Sequence, residues 1–176
     1  MSTKIGVISD SHDHLPNLRH ALEQLAGRGV EIVIHCGDLI APFVTLELAR
    51  FPLQVHTTFG NNDGDRFLHG KLAREAAPNV THHGEVGVIE LGESKLAFSH
   101  YEDQARGLAA RRGCQAAFFG HTHQPADERV GGTLLLNPGE LLGLKAAPSF
   151  CIYDLLSGGV ERCAFVTQPW PIQQPA

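Results

Sequence analysis

Several residue types are scarce in this chain of 176 residues: one methionine, one tryptophan and two tyrosines. The four cysteines, Cys36, Cys114, Cys151 and Cys163, form no C-x-x-C pair, and they read as buried, reduced thiols of a cytosolic fold. Long apolar runs are absent, and none approaches the roughly 20 residues that a membrane span needs. The opening MSTKIGVISD has one lysine and a short apolar run that ends at Asp10. That is too short for a signal peptide and lacks a small-residue cleavage site, so a cytoplasmic location is expected. Positive charge is also in short supply, with 14 Lys and Arg against 19 Asp and Glu and a net charge of -5. Arg111-Arg112 is too short a basic run to mean nucleic acid, and the acidic balance argues against it. A phosphate-bearing substrate is not excluded, because bound divalent cations would reverse the local field.

Histidine is what the chain has in excess, eleven in all. The first half alternates between strand and helix patterns. Lys4–Ser9, Glu31–His35 and Gln54–Thr58 read as strands, Asn17–Ala26 and Thr45–Arg50 as helices, so the strands are expected to be parallel with helices packed on them. The second half reads as a meander of short strands, Asn79–His82, Val86–Leu91 and Lys95–Ser99. A helix over Gln104–Arg112 follows, then strands at Ala116–Phe119, Glu128–Val130, Thr133–Leu136, Phe150–Tyr153 and Val160–Phe165. Gly131-Gly132 is a hairpin signal. Two packed sheets are expected, with helices covering the one built from the first half. No repeat or linker divides the chain; residues 1–166 form one α/β domain, and 167–176, rich in Pro and Gln, an extended tail.

Five short segments carry the chemistry: Asp10-Ser11-His12, Gly37-Asp38, Gly60-Asn61-Asn62-Asp63, Ser99-His100 and Gly120-His121-Thr122-His123. Ligands collect outside the carboxyl ends of parallel strands, and the first three segments sit at such ends, so Asp10, His12, Asp38 and Asn61 are expected to converge. Asp10 and His12 are expected to point the same way by strand alternation. Oxygen and imidazole donors without thiolate suit Mn, Fe or Zn better than an all-oxygen cage, with Ni a further candidate. Seven ligands (Asp10, His12, Asp38, Asn61, His100, His121 and His123) are too many for one metal and about right for two. Spacing alone does not say whether His121 and His123 share a metal.

In this order, the five motifs resemble the calcineurin-like metallophosphoesterase family, over Lys4 to about Phe165. Asn137-Pro138-Gly139 resembles its small prokaryotic phosphodiesterase branch, which is also related to a eukaryotic retromer subunit. The resemblance implies a four-layer α-β-β-α sandwich, two mixed sheets flanked by helices. It implies that Asp10, His12 and His123 bind one metal, that Asn61, His100 and His121 bind the other, and that Asp38 bridges them, with Mn the expected metal. Two-metal chemistry then implies a bridging hydroxide attacking phosphorus in line. The expected partner is a small phosphate ester; a homo-oligomer is compatible with the sequence. Rival readings are a monoesterase for a phosphorylated metabolite and a protein-binding scaffold without catalysis, although a scaffold has no reason to keep His12, His100, His121 and His123 together.

The sequence departs from the wider family in three places. Asn62 stands where a histidine often contacts the phosphate, so it is assigned a catalytic hydrogen-bonding role without acid capacity. His100 is followed by Tyr101-Glu102-Asp103, which adds bulk and negative charge, and Glu140 follows the Asn-Pro-Gly where serine is more usual. Of the other histidines, His14 is read as a solvated loop residue and His35 as a hydrogen-bonded core residue, while His82-His83 is assigned nothing. Trp170 is expected to pack the tail onto the body.

Overall fold

A computed structural model describes residues 3–110 and 113–170 of the chain. Its first part runs β1 (Lys4–Ile8), α1 (Leu15–Gly27), β2 (Ile32–His35), α2 (Phe43–Leu48), β3 (Gln54–Thr57), α3 (Arg66–Ala76) and β4 (Val80–His82). Its second part runs β5 (Val86–Leu91), β6 (Ser94–Ser99), α4 (Glu102–Ala109), β7 (Ala116–Phe118), β8 (Ala126–Val130), β9 (Thr133–Asn137), β10 (Ser149–Asp154) and β11 (Val160–Ala164). Two mixed sheets result, one in the order β11-β10-β1-β2-β3-β4 and one in the order β5-β6-β7-β9-β8.

The layers follow from alternation along the strands, because successive side chains point to opposite faces. Ile5 and Val7 of β1, Phe98 of β6, Phe118 of β7 and Leu134 and Leu136 of β9 fill the space between the sheets. Ala97, Ala117 and Leu135, the residues between them, face outward against Ala105 and Ala109 of α4. On the other flank Ile8, Val33 and Val55 meet Leu18, Leu22 and Leu25 of α1 and Val44 and Leu48 of α2. Each fully buried Leu, Ile or Phe contributes about 1.5–3 kcal/mol. A Cβ on Gly6 would lie 2.9 Å from Leu25 Cδ1, so glycine there lets α1 lie close on β1.

The four-layer α-β-β-α sandwich is present, with corrections to how the chain builds it. β4 is not part of a meander; it pairs parallel with β3, at the edge of the first sheet. The crossover that makes this possible is α3, which the sequence pattern did not reveal. Only His69 and Ala73 of α3 are buried, so its apolar stripe is too thin to register, and Gly70 interrupts it. Asp65 caps this helix by accepting from Leu68 N. Helices cover both sheets, since α4 lies on the second. The first sheet draws β10 and β11 from the end of the chain, β10 pairing antiparallel with β1. α4 begins at Glu102, where two acidic side chains occupy its positive end, and the Arg111 and Arg112 expected in it lie outside the described residues. The hairpin at Gly131-Gly132 joins β8 and β9 as expected. Of the tail, 171–176 lie outside the described residues.

Candidate metal centre

All five motifs lie at or just past the carboxyl ends of parallel strands: β1, β2 and β3 in one sheet, β6 and β7 in the other. The two sheets therefore deliver their loops to one end of the sandwich. Strand alternation is not what aims the side chains. β1 ends at Ile8, and Asp10, His12, Asp38, His121 and His123 all have positive φ, from 43° to 67°. Such backbone costs of order 1–3 kcal/mol per residue and clusters at functional sites. The turns are held by backbone bonds between loops, Asp10 N to Gly37 O at 3.1 Å and His12 N to Asp38 O at 3.0 Å.

Two groups of three ligand atoms form, each within 4.8 Å: Asp10 with His12 and His123, and Asp10 with Asp38 and His100. Asp38 Oδ2 lies 3.4 Å from His12 Nε2 and 3.5 Å from His100 Nε2, so this carboxylate also faces both halves. Asn61 Oδ1 lies 3.1 Å from His100 Nε2. His121 is brought near but belongs to neither group; its exposed ring packs edge-on against His100 and Tyr101, with centroids 5.0 Å away. Asn62 donates its side-chain amide to Asp38 Oδ2 at 2.7 Å and its backbone N–H to Asp38 Oδ1 at 2.9 Å.

The donor set fits a cation. Asp10 and Asp38 are buried, and the ion pairs they make are with histidines. Asp10 Oδ1 and His12 Nε2 are buried without a hydrogen-bond partner, a costly state for polar atoms unless an ion completes them. Burial pushes the Asp10 carboxyl up, but the neighbouring His12, Ser9, His100 and His123 outweigh it and hold it below its ordinary value. Burial pulls His12 down, yet the carboxylates of Asp10, Asp38 and Asp63 raise it overall. The first direction keeps Asp10 ionised, and the second marks the carboxylate charge around His12, which suits a cation.

Several supporting residues carried no role in the sequence reading. Asp63 accepts from Asp38 N, Gly60 N and Ile40 N, tying the second and third motif loops together. Gly60 and Gly120 are required by space: a Cβ on either would collide with Asp38 Oδ1 or Ser9 Oγ respectively. Buried Glu140 accepts from His123 Nδ1. The Gly-Asn-x-Asp pattern signalled Asp63, whereas nothing in the sequence signalled where Glu140 points. His35 is the expected core histidine: Gly37 N donates to its Nδ1, which leaves Nε2–H to bond Ser11 Oγ at 3.0 Å. Burial holds its pKa near 4. His14 caps α1 instead of standing free in solvent, and Trp170 packs on it, ring centroids 5.4 Å apart. His82 and His83 are also engaged, His82 with Thr45 and Phe59 and His83 with His56.

The family model of the calcineurin-like phosphoesterase superfamily domain matches residues 3–158. The phosphodiesterase MJ0936 of Methanocaldococcus jannaschii is 36% identical over 157 residues, covering 86% of this chain and 92% of that protein. The solved structure of an archaeal phosphodiesterase superposes with a TM-score of 0.84 at 31% identity, over 92% of this chain and 99% of the other. A Vps29 variant from Entamoeba histolytica has a TM-score of 0.61 at 23% identity, over 92% and 99%, which is a likeness of fold.

Proposed function

The chain belongs to the calcineurin-like phosphoesterase superfamily, and from that premise we propose that it is a dinuclear metal-dependent phosphodiesterase for a small phosphate ester, using manganese. The observation that carries this reading is the pair of ligand groups sharing Asp10, with Asp10 Oδ1 and His12 Nε2 buried and unpartnered. Asp10, His12 and His123 are assigned to one metal, Asn61, His100 and His121 to the other, and Asp38 to both. Divalent cations bound there supply charge neutralisation at the phosphoryl oxygens and activation of water for in-line attack.

The chain's own residues prepare the site. Asp63 holds the loops that carry Asp38 and Asn61 in register. The backbone carbonyl of Cys36 accepts from His100 Nδ1 at 2.8 Å, so Nε2 is the nitrogen free to ligate. Asn62 orients Asp38 and can donate to a phosphoryl oxygen, but its amide has no proton to give a leaving group. The diester preference is supported by the phosphodiesterases at 36% and 31% identity; the Vps29 likeness supports the fold and not a scaffold role. Four free cysteines suit the cytoplasm, and no described helix is long and apolar enough to cross a membrane.

The test pairs bis-aryl diesters with aryl monoesters after reconstitution of the protein with Mn2+, alongside metal quantification. Diester hydrolysis that a chelator stops is expected, with the larger kcat/KM on the diester. A larger value on the monoester would sink the diester reading, and activity that persists without metal would sink the dinuclear one.

A further inference from the structure

We propose that Glu140 is a positioning residue for the metal centre, whose buried carboxylate aims His123 and ties the 141–146 loop to that ligand. The inference rests on the metal-centre reading above. Glu140 is fully buried, between two sets of donors. Its Oε2 accepts from His123 Nδ1 at 2.5 Å, and its Oε1 accepts the backbone N–H groups of Lys145 and Ala146, at 2.5 and 2.8 Å. A buried carboxylate is costly unless hydrogen bonds compensate it, and these three do so.

The consequence for His123 is chemical. An acceptor at Nδ1 requires the proton to sit on Nδ1, so Nε2 presents its lone pair. That nitrogen lies 3.4 Å from Asp10 Oδ1, inside the first ligand group. His100 is held in the same sense, but by the neutral carbonyl of Cys36. A carboxylate partner makes an imidazole a more basic ligand than a carbonyl partner does. The two halves of the centre are therefore supported unequally, and the half containing His123 depends on Glu140.

The segment after Glu140 is bonded to the same half by its backbone. Leu141 N donates to Ser9 O at 3.0 Å and Leu142 N to Asp10 O at 2.9 Å. One carboxylate thus joins a side chain of the centre to a loop that already clasps Asp10. Gly139 starts this turn with φ of 91°, and a Cβ there would run into Ser149 Oγ.

Glu140→Gln keeps the volume but sets an NH2 donor against either His123 Nδ1–H or the two amides. Titration of metal-free protein with Co2+, followed by its absorption spectrum and by competition with a chelating indicator, reads the two sites separately. Wild type is expected to take up two ions. Glu140→Gln is expected to lose about 10–100-fold in affinity at one site, with the other unchanged and with faster hydrogen exchange at Lys145 and Ala146. Glu140→Ser opens space beside His123, and added formate is expected to restore the weakened site. The comparison is read on whichever variant keeps the wild-type circular dichroism. Unchanged affinity at both sites would overturn the inference, and so would equal weakening of both, since Glu140 would then serve the fold and not His123. A wild type that binds neither ion defeats the centre reading itself, and this inference with it.

Discussion

Asn62 offers the sharpest kinetic test, because its side chain is tied to a candidate ligand and cannot act as an acid. Asn62→Ala deletes the 2.7 Å bond from the side-chain amide to Asp38 Oδ2 and keeps the 2.9 Å bond from the backbone N–H. A hydrogen bond to a charged group contributes about 1.5–3 kcal/mol. Asn62 is exposed, so water replaces part of it, leaving about 1 kcal/mol, or roughly fivefold in rate. That loss should be the same for every substrate. Proton donation behaves differently: a positioned general acid contributes about 10²–10⁴-fold, and mostly where the leaving group is poor. With an amide at this position, log kcat/KM for wild type is expected to fall steeply as leaving-group pKa rises from nitrophenols to alcohols. Asn62→Ala should give a parallel line slightly below it. Asn62→His should help alkyl esters far more than nitrophenyl esters. A shallow wild-type slope that Asn62→His leaves unchanged would refute the reasoning and turn attention to His14, Glu102 and Asp103 as proton donors.

Other outcomes follow from the same geometry. Asp38→Ala should reduce occupancy of both metals, since Asp38 Oδ2 faces His12 and His100 at 3.4 and 3.5 Å; elemental analysis that finds two ions retained would argue against a shared carboxylate. Gly60→Ala should lower kcat/KM by about 100-fold, because its Cβ would press on Asp38 and come within 2.8 Å of His100 Cδ2. Gly64→Ala, which meets only Ile40 O at 3.6 Å, should be close to wild type in the same assay. The metal-free protein should lose stability in mild acid, because burial holds His35 and His82 near pKa 4, below the ordinary 6.5. A depressed histidine binds its proton more readily in the unfolded chain, so stability is full above about pH 6.5 and falls toward pH 4, by about 2 kcal/mol per histidine at pH 5. A urea midpoint that does not change between pH 7 and 5 would contradict this.

The fold class and the end of the sandwich that holds the site were legible in the sequence because both rest on local signals. Period-two apolar runs marked most strands, and polar motifs just after them marked where chains leave a sheet. Elements with little burial were not legible: α3, with two buried residues, left no stripe, and without it β4 was read into the wrong sheet. Strand alternation failed for Asp10 and His12, because the chain leaves β1 before them and turns through positive φ. Asp, Asn and His tolerate that conformation better than most residues, but their names do not reveal when they adopt it.

The sequence by itself determined the donor chemistry: which oxygen and nitrogen donors the motifs offer, their order, and the lack of an acid at Asn62. These are properties of side chains, and folding does not alter them. Only the tertiary structure decided which donors meet. Glu140 finds His123 across a loop, His35 finds Ser11 and not the centre, and His121 stays at the rim. Such pairings join residues from different strands and loops, and the spacing of residues along one chain carries no record of the distance between two loops once the sheets have packed.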